Sequence, residues 1–205
     1  MIEVKPIQSY ETYDWLLNVH YAKRIPSISF AFGLFNDGVL KGIVTYGMPA
    51  SKFLCEGIAG KFYKNDVIEL NRLCFIEKVK NYASILVSKS LKMLPKPKIV
   101  VSYADTAMGH IGYVYQACNF MFTGTTKERT DMASTDGNHS RHNLGNSEIR
   151  INRSAKHRYV MICARNIKEK KKIMNAINYK QKPYPKGDSE NYEITHQPEY
   201  QSCLF

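Results

Sequence analysis

The 205-residue chain is 44% apolar and carries a formal net charge of +11 at pH 7. This length and apolar content suffice for one substantial core, which favours a single domain with decorations over two domains. No apolar run approaches the roughly 20 residues that span a bilayer, and the first residues lack the basic and apolar regions of a signal peptide. We therefore expect a soluble, cytoplasmic protein with no membrane partner.

The pattern of apolar residues and turn residues predicts alternating elements. In chain order these are a helix at residues 10–22, a hairpin at 27–49, a strand at 66–77, a helix at 81–97, a strand at 98–105, a short helix at 110–119, strands at 120–126 and 156–164, and a basic helix at 167–177. The hairpin follows from two apolar runs joined by Asn36-Asp37-Gly38. This order predicts an α/β fold around a mixed sheet.

Two segments depart from the composition of a core. Residues 125–156 are rich in Ser, Thr, Asn, Gly and charge, so we expect a long surface loop that cannot form its own core. We expect a catalytic domain at residues 1–164 that includes this loop, a basic helix and linker at 165–186, and a flexible acidic tail at 187–205.

The five cysteines lack C-x-x-C spacing and are interpreted as small buried apolar residues, not a disulfide framework or zinc site.

The positive charge is concentrated. Residues 165–186 carry eight Lys or Arg against the single acid Glu169, whereas residues 188–205 carry four acids and no Lys or Arg. A basic surface attracts phosphate backbones through counterion release, so DNA is the predicted partner. The predicted DNA contacts are Arg141, Arg150 and Arg153 of the loop and Lys170, Lys171 and Lys172 of the basic helix. The alternative is a solvated lysine-rich helix.

Side chains that can transfer protons gather at the end of the strand at residues 98–105. Asp105 ends this strand and is either a general base or the cap of the next helix. Tyr103 and His110 lie close to it in sequence, and we predict that they contact substrate. The alternative for His110 is an ordinary loop-to-helix connection flanked by Gly109 and Gly112. His20 with Tyr21, and Glu69 with Arg72, are two further candidate pairs; each pair either lines a cleft or has a structural role.

The order of elements over residues 1–164 resembles the GNAT acyltransferase fold. The resemblance implies a mixed, mostly antiparallel sheet flanked by helices, in which a donor enters where the fourth strand splays from the fifth. It also implies a proton-donating tyrosine on the following helix, at Tyr115. The loop that would hold the CoA pyrophosphate corresponds to "FIEKVKNYAS", which contains no glycine. Because a close backbone approach favours glycine, we expect weak or absent acetyl-CoA binding.

A narrower resemblance rests on an ordered set of motifs. "VHYAKRIPS", "ELNRLCF", "SYADTAMGHIGYVYQACNFMFTG" and "KHRYV" together resemble the Mom family of phage DNA-modification proteins. The resemblance implies an enzyme that converts adenine in DNA to N6-carbamoylmethyladenine and protects phage DNA from host restriction. It implies catalytic roles for His20, Tyr21, Asp105 and Tyr115, and an essential serine near Ser88 or Ser90.

The implied product leaves the donor and cofactor open. The amine of adenine is joined to a methylene carbon in this product, whereas attack on acetyl-CoA would join it to a carbonyl carbon. A glycine-derived donor or a metal-assisted rearrangement would be needed, and iron is linked to the family. His20, Tyr21, Glu69 and Asp105 carry suitable donor atoms, but no H-x-D or H-E-x-x-H spacing supports a metal. Because duplex adenine must be extruded to react, aromatic pocket walls are expected, with candidates at Tyr46, Tyr63, Tyr103 and Tyr113.

Three hypotheses follow. The first is the adenine-modifying transferase that acts on DNA. The second is a CoA-dependent N-acetyltransferase of a small amine or protein, which the glycine-free loop and the charge disfavour. The third is a non-catalytic basic module that binds nucleic acid, which the proton-handling residues disfavour.

Overall fold

A computed structural model describes residues 1–132, 149–187 and 200–202 of the chain. Its strands are β1 (Ile2–Pro6), β2 (Phe30–Asn36), β3 (Val39–Gly47), β4 (Val67–Phe75), β5 (Lys98–Asp105), β6 (Met121–Thr125), β7 (Arg129–Met132), β8 (Ile149–Arg153), β9 (Lys156–Cys163) and β10 (Tyr200–Ser202). Its α-helices are α1 (Lys52–Tyr63), α2 (Tyr82–Met93), α3 (Tyr113–Ala117) and α4 (Ile167–Ala176).

Seven strands form the central sheet in the order β1-β2-β3-β4-β5-β9-β6. β4 and β5 run parallel, and the other five neighbouring pairs run antiparallel. A smaller sheet has the order β10-β8-β7. The predicted α/β fold with a mixed, mostly antiparallel sheet and flanking helices is therefore confirmed.

The parallel pair separates partway along its length. The ladder joins residues from Val67↔Ile99 to Leu70↔Ser102, yet β4 continues to Phe75 and β5 to Asp105. The Ser102 hydroxyl donates to the Leu70 carbonyl at 2.9 Å and so holds the last pair together. Beyond this point the sheet opens between the two carboxyl ends.

Helices cover both faces of the sheet. On one face α2 buries Leu86, Val87 and Leu91 in an apolar cluster with β3 and β5. On the other face Ile58 of α1 and Ile173 of α4 pack with Val67, Ile99 and Val160. β5 therefore supplies Val100 to one face and Ile99 to the other, which is why its sequence is a continuous apolar run.

The first predicted helix is present but irregular, and it ends at Val19 rather than at residue 22. A 3₁₀ turn at Ser9–Thr12 continues through Tyr13 and Asp14 into a π-helical turn at Trp15–Val19. His20 already has extended backbone geometry. Trp15 and Leu16, adjacent in sequence, are both buried with Ile43, so tertiary packing overrides the helical period.

Two elements have no counterpart in the prediction. β1 is a largely exposed edge strand in which Pro6 is tolerated because it ends the strand at the sheet edge. The helix α1 has non-helical backbone angles at Ala59 and Gly60, where φ is 71° at Gly60. This kink interrupts the 3.6-residue period on which helix prediction depends.

The predicted loop at residues 125–156 is not structureless at its ends. β7 and β8 pair antiparallel there, and β10 adds to β8 from the segment predicted as an acidic tail. Residues 133–148 lie outside the described part, so the loop between these strands and the division of the chain into domains stay predictions. Of the cysteines that the structure describes, Cys55, Cys74 and Cys163 are buried and Cys118 is half-buried, all as free thiols.

Candidate active site

The separation of β4 and β5 opens a cleft of about 680 Å³. Its walls come from the segment after the π-helical turn, the first turn of α1, β4, the end of β5 and start of α3, and the connections around β7 and β8. Tyr179, which follows α4, completes the lining. Segments distant in sequence thus meet at the carboxyl ends of the parallel strands.

The cleft is strongly cationic. Its described lining includes seven Lys or Arg residues, namely Arg24, Arg72, Lys127, Arg129, Arg153, Lys156 and Arg158. The same lining contains one acid, Glu69. Arg129 and Arg153 are direct cross-strand partners in the β7–β8 ladder, so two of these cations lie side by side in the wall of the cleft. A cleft with this excess of positive charge attracts anions.

Glu69 is half-buried on β4, at the penultimate residue of the β4–β5 ladder. Among the described residues no donor hydrogen-bonds to its carboxylate, which leaves the oxygens available to a substrate. Burial raises the pKa of Glu69, although the positive charges of Arg72, Lys156 and Arg24 act in the opposite direction. A carboxylate with a raised pKa accepts a proton more readily than an ordinary one.

Arg72 lies three residues further along β4. One Nη donates to the Asn71 carbonyl at 2.7 Å and the other to the Arg24 carbonyl at 3.4 Å. Its Nε is buried without an acceptor among the described residues. Burial lowers the pKa of Arg72, while Tyr21 and Glu69 act to raise it. The unmatched Nε–H is therefore a buried donor in the wall of the cleft, and such groups are rare in folded proteins.

His20 and Tyr21 bring two stacked rings into the same wall, with centroids 4.5 Å apart. Burial, together with the charges of Arg72 and His110, lowers the pKa of His20 to about 3. The Ala22 N–H donates to Nδ1 at 3.1 Å, so the neutral ring carries its proton on Nε2. His20 is therefore a hydrogen-bond donor near neutral pH and a poor base.

Tyr115 follows the strand opening on α3. Its ring is half-buried and packs on Phe120 and Tyr159 at centroid distances of 5.4 and 5.3 Å. Burial raises the pKa of Tyr115 to about 12, although a hydrogen bond with Ser102 lowers it in part. The hydroxyl thus keeps its proton at neutral pH and can donate it.

The start of α3 depends on Gly112. Its φ is 80°, and a Cβ there would lie 2.4 Å from the Tyr159 ring. Both the backbone conformation and the space therefore require glycine. Tyr113 and Tyr115 are positioned by this turn, and both line the cleft.

Asp105 is buried and lies outside the cleft lining. Its carboxylate accepts hydrogen bonds from the Ala107 N–H at 3.1 Å, from Lys156 Nζ at 2.6 Å and from the Ser154 hydroxyl. Burial alone would raise the pKa of Asp105, but Lys156, Ser154 and Ala107 together hold it below its usual range. The capping alternative thus describes its geometry, since it caps the turn at Thr106–Met108; its role as base stays a prediction.

The remaining predicted site residues fall into those that line the cleft and those that lie elsewhere. Tyr103 and His110 line the cleft, and burial raises the pKa of Tyr103 and lowers that of His110. Tyr46 is in the core, where its hydroxyl bonds to Ser90 at 2.7 Å. Tyr63 ends α1 and packs against the apolar cluster between that helix and the sheet, and the Ser88 hydroxyl donates to the Ile85 carbonyl in its own helix. None of Tyr46, Tyr63, Ser88 and Ser90 belongs to the described cleft lining.

The predicted DNA contacts are also separated by the structure. Arg153 lines the cleft. Arg141 lies outside the described residues, and Arg150 is described only as a backbone position in β8. Lys170, Lys171 and Lys172 are exposed on α4 and away from the cleft lining. Their contact with DNA stays a prediction.

Several residues of the cleft lining were not predicted from the sequence, among them Arg24, Lys127, Arg129, Lys156, Arg158 and Tyr179. A signal existed for two of them. Lys156 and Arg158 are two residues apart in the strand motif "KHRYV", so they must share a face. The Arg158 guanidinium lies over the Tyr179 ring at 3.5 Å, a contact between residues far apart in the chain.

The segment before α2 corresponds to the loop that would hold the CoA pyrophosphate. There the Val79 N–H donates to the Glu77 carbonyl and the Tyr82 N–H to the Val79 carbonyl, so these two donors are engaged within the turn. Within the described part of the chain, no three His, Cys, Asp or Glu side chains are close enough to hold a metal ion. Likewise, no helix there is long and apolar enough to cross a bilayer.

Comparison with known proteins identifies similar chains. Residues 1–186 match the model of the Mom protein family. Methylcarbamoylase mom of Escherichia phage Mu is 27% identical over 130 residues, which are 60% of this chain and 54% of that protein. The chain thus aligns with about half the length of that relative. Among solved structures, an N-acetyltransferase from Staphylococcus aureus Mu50 is 14% identical with a TM-score of 0.48, covering 80% of this chain and 99% of the other. A GNAT-family acetyltransferase from Bacillus cereus is 15% identical with a TM-score of 0.46 and the same two coverages.

Proposed function

Because the chain belongs to the Mom protein family, we propose that it is a transferase that carbamoylmethylates the N6 amine of adenine in DNA. Such a product would protect phage DNA from restriction in the host cytoplasm. The name of the phage Mu relative, a methylcarbamoylase, supports the class of group transferred. The observation that carries the proposal is the cleft itself, in which seven cations and one carboxylate line the opening of the sheet.

The cations suit the phosphates and the aromatic rings suit the base. Lys or Arg side chains neutralise the backbone of DNA and position it. An adenine that leaves the duplex needs flat apolar surfaces on which to stack, and Tyr21, Tyr103 and Tyr113 line the cleft. Salt-sensitive attraction and base stacking are therefore available in one site.

The chemistry requires a base and an acid. The N6 lone pair is delocalised into the purine ring, so its proton must leave as the bond to the methylene carbon forms. We assign this proton to Glu69, the carboxylate in the described cleft lining, and retain Asp105 as the alternative base. The donor's leaving group departs with the electron pair of the broken bond, and Tyr115 supplies a proton to it.

Two further cationic or donor side chains suit the transferred group. Arg72 lines the cleft as a cation, and His20 presents Nε2–H because its Nδ1 is engaged by Ala22. A carbamoyl oxygen would accept from His20 and be attracted by the charge of Arg72 as a bond to the methylene develops. We propose a donor other than acetyl-CoA, such as a glycine derivative.

Mass spectrometry of nucleosides tests the proposal directly. Plasmid DNA from cells that co-express the protein should contain a carbamoylmethylated deoxyadenosine that is absent with empty vector. Unmodified adenine together with acetylation of a small amine or protein would instead establish the N-acetyltransferase. Unmodified adenine with salt-sensitive DNA binding alone would establish the non-catalytic binding module.

A further inference from the structure

The first turn of α1 places an exposed aromatic ring at the cleft. Phe53 lines the cleft and is 79% exposed. The buried side of α1 is formed by Cys55 and Ile58, which pack against the sheet. Phe53 therefore extends from the other side of the helix, where no core contact explains a large apolar side chain.

The helix α1, which carries Phe53, is anchored to the sheet and to the segment that follows α4. Ile58 is fully buried between the sheet and Ile173 of α4. The Asn178 N–H donates to the Ile58 carbonyl at 2.8 Å, and its side-chain amide donates to the Gly57 carbonyl at 3.1 Å. The helix is thus fastened to the chain that follows α4. The ring is presented by an anchored helix, as insertion into another molecule would require.

The surroundings of Phe53 indicate what that molecule is. Seven cations line the same cleft, which is the electrostatic setting of a phosphate backbone. A solvent-exposed aromatic beside such cations suits stacking on bases better than contact with an apolar protein surface. Proteins that distort duplex DNA commonly insert an apolar side chain between base steps.

We propose that Phe53 is a wedge that fills the space left in a DNA duplex when the target adenine is extruded into the cleft. The inference rests on the proposed function and makes it more specific, because it assigns double-stranded DNA as the substrate. Extrusion costs the stacking and pairing of one base. A ring that stacks on the exposed neighbouring bases offsets part of that cost and slows the return of the adenine.

The test compares two phenylalanines of one helix. Phe62 is also on α1 and is 85% exposed, but it is not part of the described cleft lining. We therefore pair Phe53→Ala with Phe62→Ala, and add Phe53→Trp, which keeps a ring. The DNA is a duplex copied from a plasmid sequence that the parent protein modifies, with 2-aminopurine at the target adenine. Its fluorescence rises on extrusion without any donor.

The parent, Phe62→Ala and Phe53→Trp should all produce this rise. Phe53→Ala should lower the extruded fraction and the modified-adenine yield about tenfold, the size of one lost base–aromatic stack. An abasic site opposite the target should restore much of the loss, since it weakens the stack that must be opened. All variants should melt at the parental temperature, because the altered rings are exposed.

The outcomes are distinguishable. Equal extrusion and yield by Phe53→Ala and Phe62→Ala on duplex DNA would overturn the wedge while leaving the proposed function intact. An equal loss by Phe53→Ala on single-stranded and duplex DNA would also overturn it, because Phe53 would then be a stacking platform for the strand. A parent protein that leaves plasmid adenine unmodified and does not bind DNA would overturn the proposed function and this inference together.

Discussion

Removing the negative charge of Asp105 and removing that of Glu69 should have opposite effects on stability and on the yield of modified adenine. Asp105→Asn removes a hydrogen-bonded ion pair, whereas Glu69→Gln removes a carboxylate that has no donor among the described residues. If Glu69 is the base, only Glu69→Gln should abolish modification. If Asp105 is the base, the yields should be reversed.

The loss of folding stability caused by Asp105→Asn can be worked out from the hydrogen bonds of the Asp105 carboxylate. Asparagine still accepts from Ala107 and Ser154, so the loss is confined to the Lys156 bond. A hydrogen bond to a charged group contributes about 1.5–3 kcal/mol, but Lys156 is 34% exposed and can turn to water, which reduces the loss to about 1–2 kcal/mol. At about 2–4 °C per kcal/mol, the melting temperature should fall by about 2–8 °C.

Glu69→Gln should not lower the free energy of unfolding. Burial raises the pKa of Glu69, so the stability of the parent declines as pH rises through that pKa, and a neutral glutamine removes the decline. Activity should nevertheless fall by about 10²- to 10⁴-fold, the contribution of a general base.

The assay measures modified deoxyadenosine and melting temperature for each variant. Asp66→Asn is the matched control, because Asp66 pairs with Lys98 at 3.7 Å at the opposite end of β5. It should lower stability slightly and leave the yield unchanged. Parental yield from Glu69→Gln would refute the assignment of Glu69. A large loss of yield from Asp105→Asn, at a temperature where the variant is fully folded and together with parental yield from Glu69→Gln, would establish Asp105 in its place.

Three further measurements test other parts of the site. DNA affinity should fall with salt at a log–log slope of at most about 6, because seven cleft cations each contribute about 0.9; a flat response would contradict the electrostatic role. Calorimetry should detect no tight acetyl-CoA binding, and a dissociation constant near a micromolar, about 8 kcal/mol, would revive the N-acetyltransferase hypothesis. Because the pKa of His20 is about 3 in the folded protein and 6.5 for an ordinary histidine, the free energy of unfolding should fall by up to about 1.4 kcal/mol per pH unit below 6.5. His20→Asn should flatten that slope in urea unfolding, whereas parallel curves for parent and variant would show that His20 is not buried in its neutral form.

The strands of the sheet centre could be predicted because their residues are buried on both faces. The apolar run at residues 98–105 coincides with β5. The helix α1 could not, since the break at Gly60 interrupts its period. β7 and β8 depend on pairing between segments about twenty residues apart. The apolar alternation in β8 is limited to Ile149 and Ile151, which is too short to indicate a strand within a polar stretch.

The candidate site was predictable only where a motif is local. His20, Tyr21, Glu69, Arg72, Tyr103, His110 and Tyr115 all line the cleft. Asp105 shows the limit, because an aspartate at the end of a strand fits a base and a cap equally well. Its environment is set by Ser154 and Lys156, which are 49 and 51 residues away in the chain. The sequence near Asp105 therefore does not predict the Lys156 charge that lowers the pKa of Asp105.

The same cationic field acts on both carboxylates with different results. Lys156 bonds directly to Asp105 and holds its pKa below the usual range, whereas burial at the sheet opening outweighs Lys156, Arg72 and Arg24 and raises the pKa of Glu69. Such divergence separates a structural carboxylate from one that can take a proton. Phosphates bound to the cleft cations would weaken the pull of those cations on Glu69, so its pKa should rise further once DNA is bound. We therefore expect the base to strengthen only when the substrate is in place, because the cations that attract DNA also restrain Glu69 in its absence.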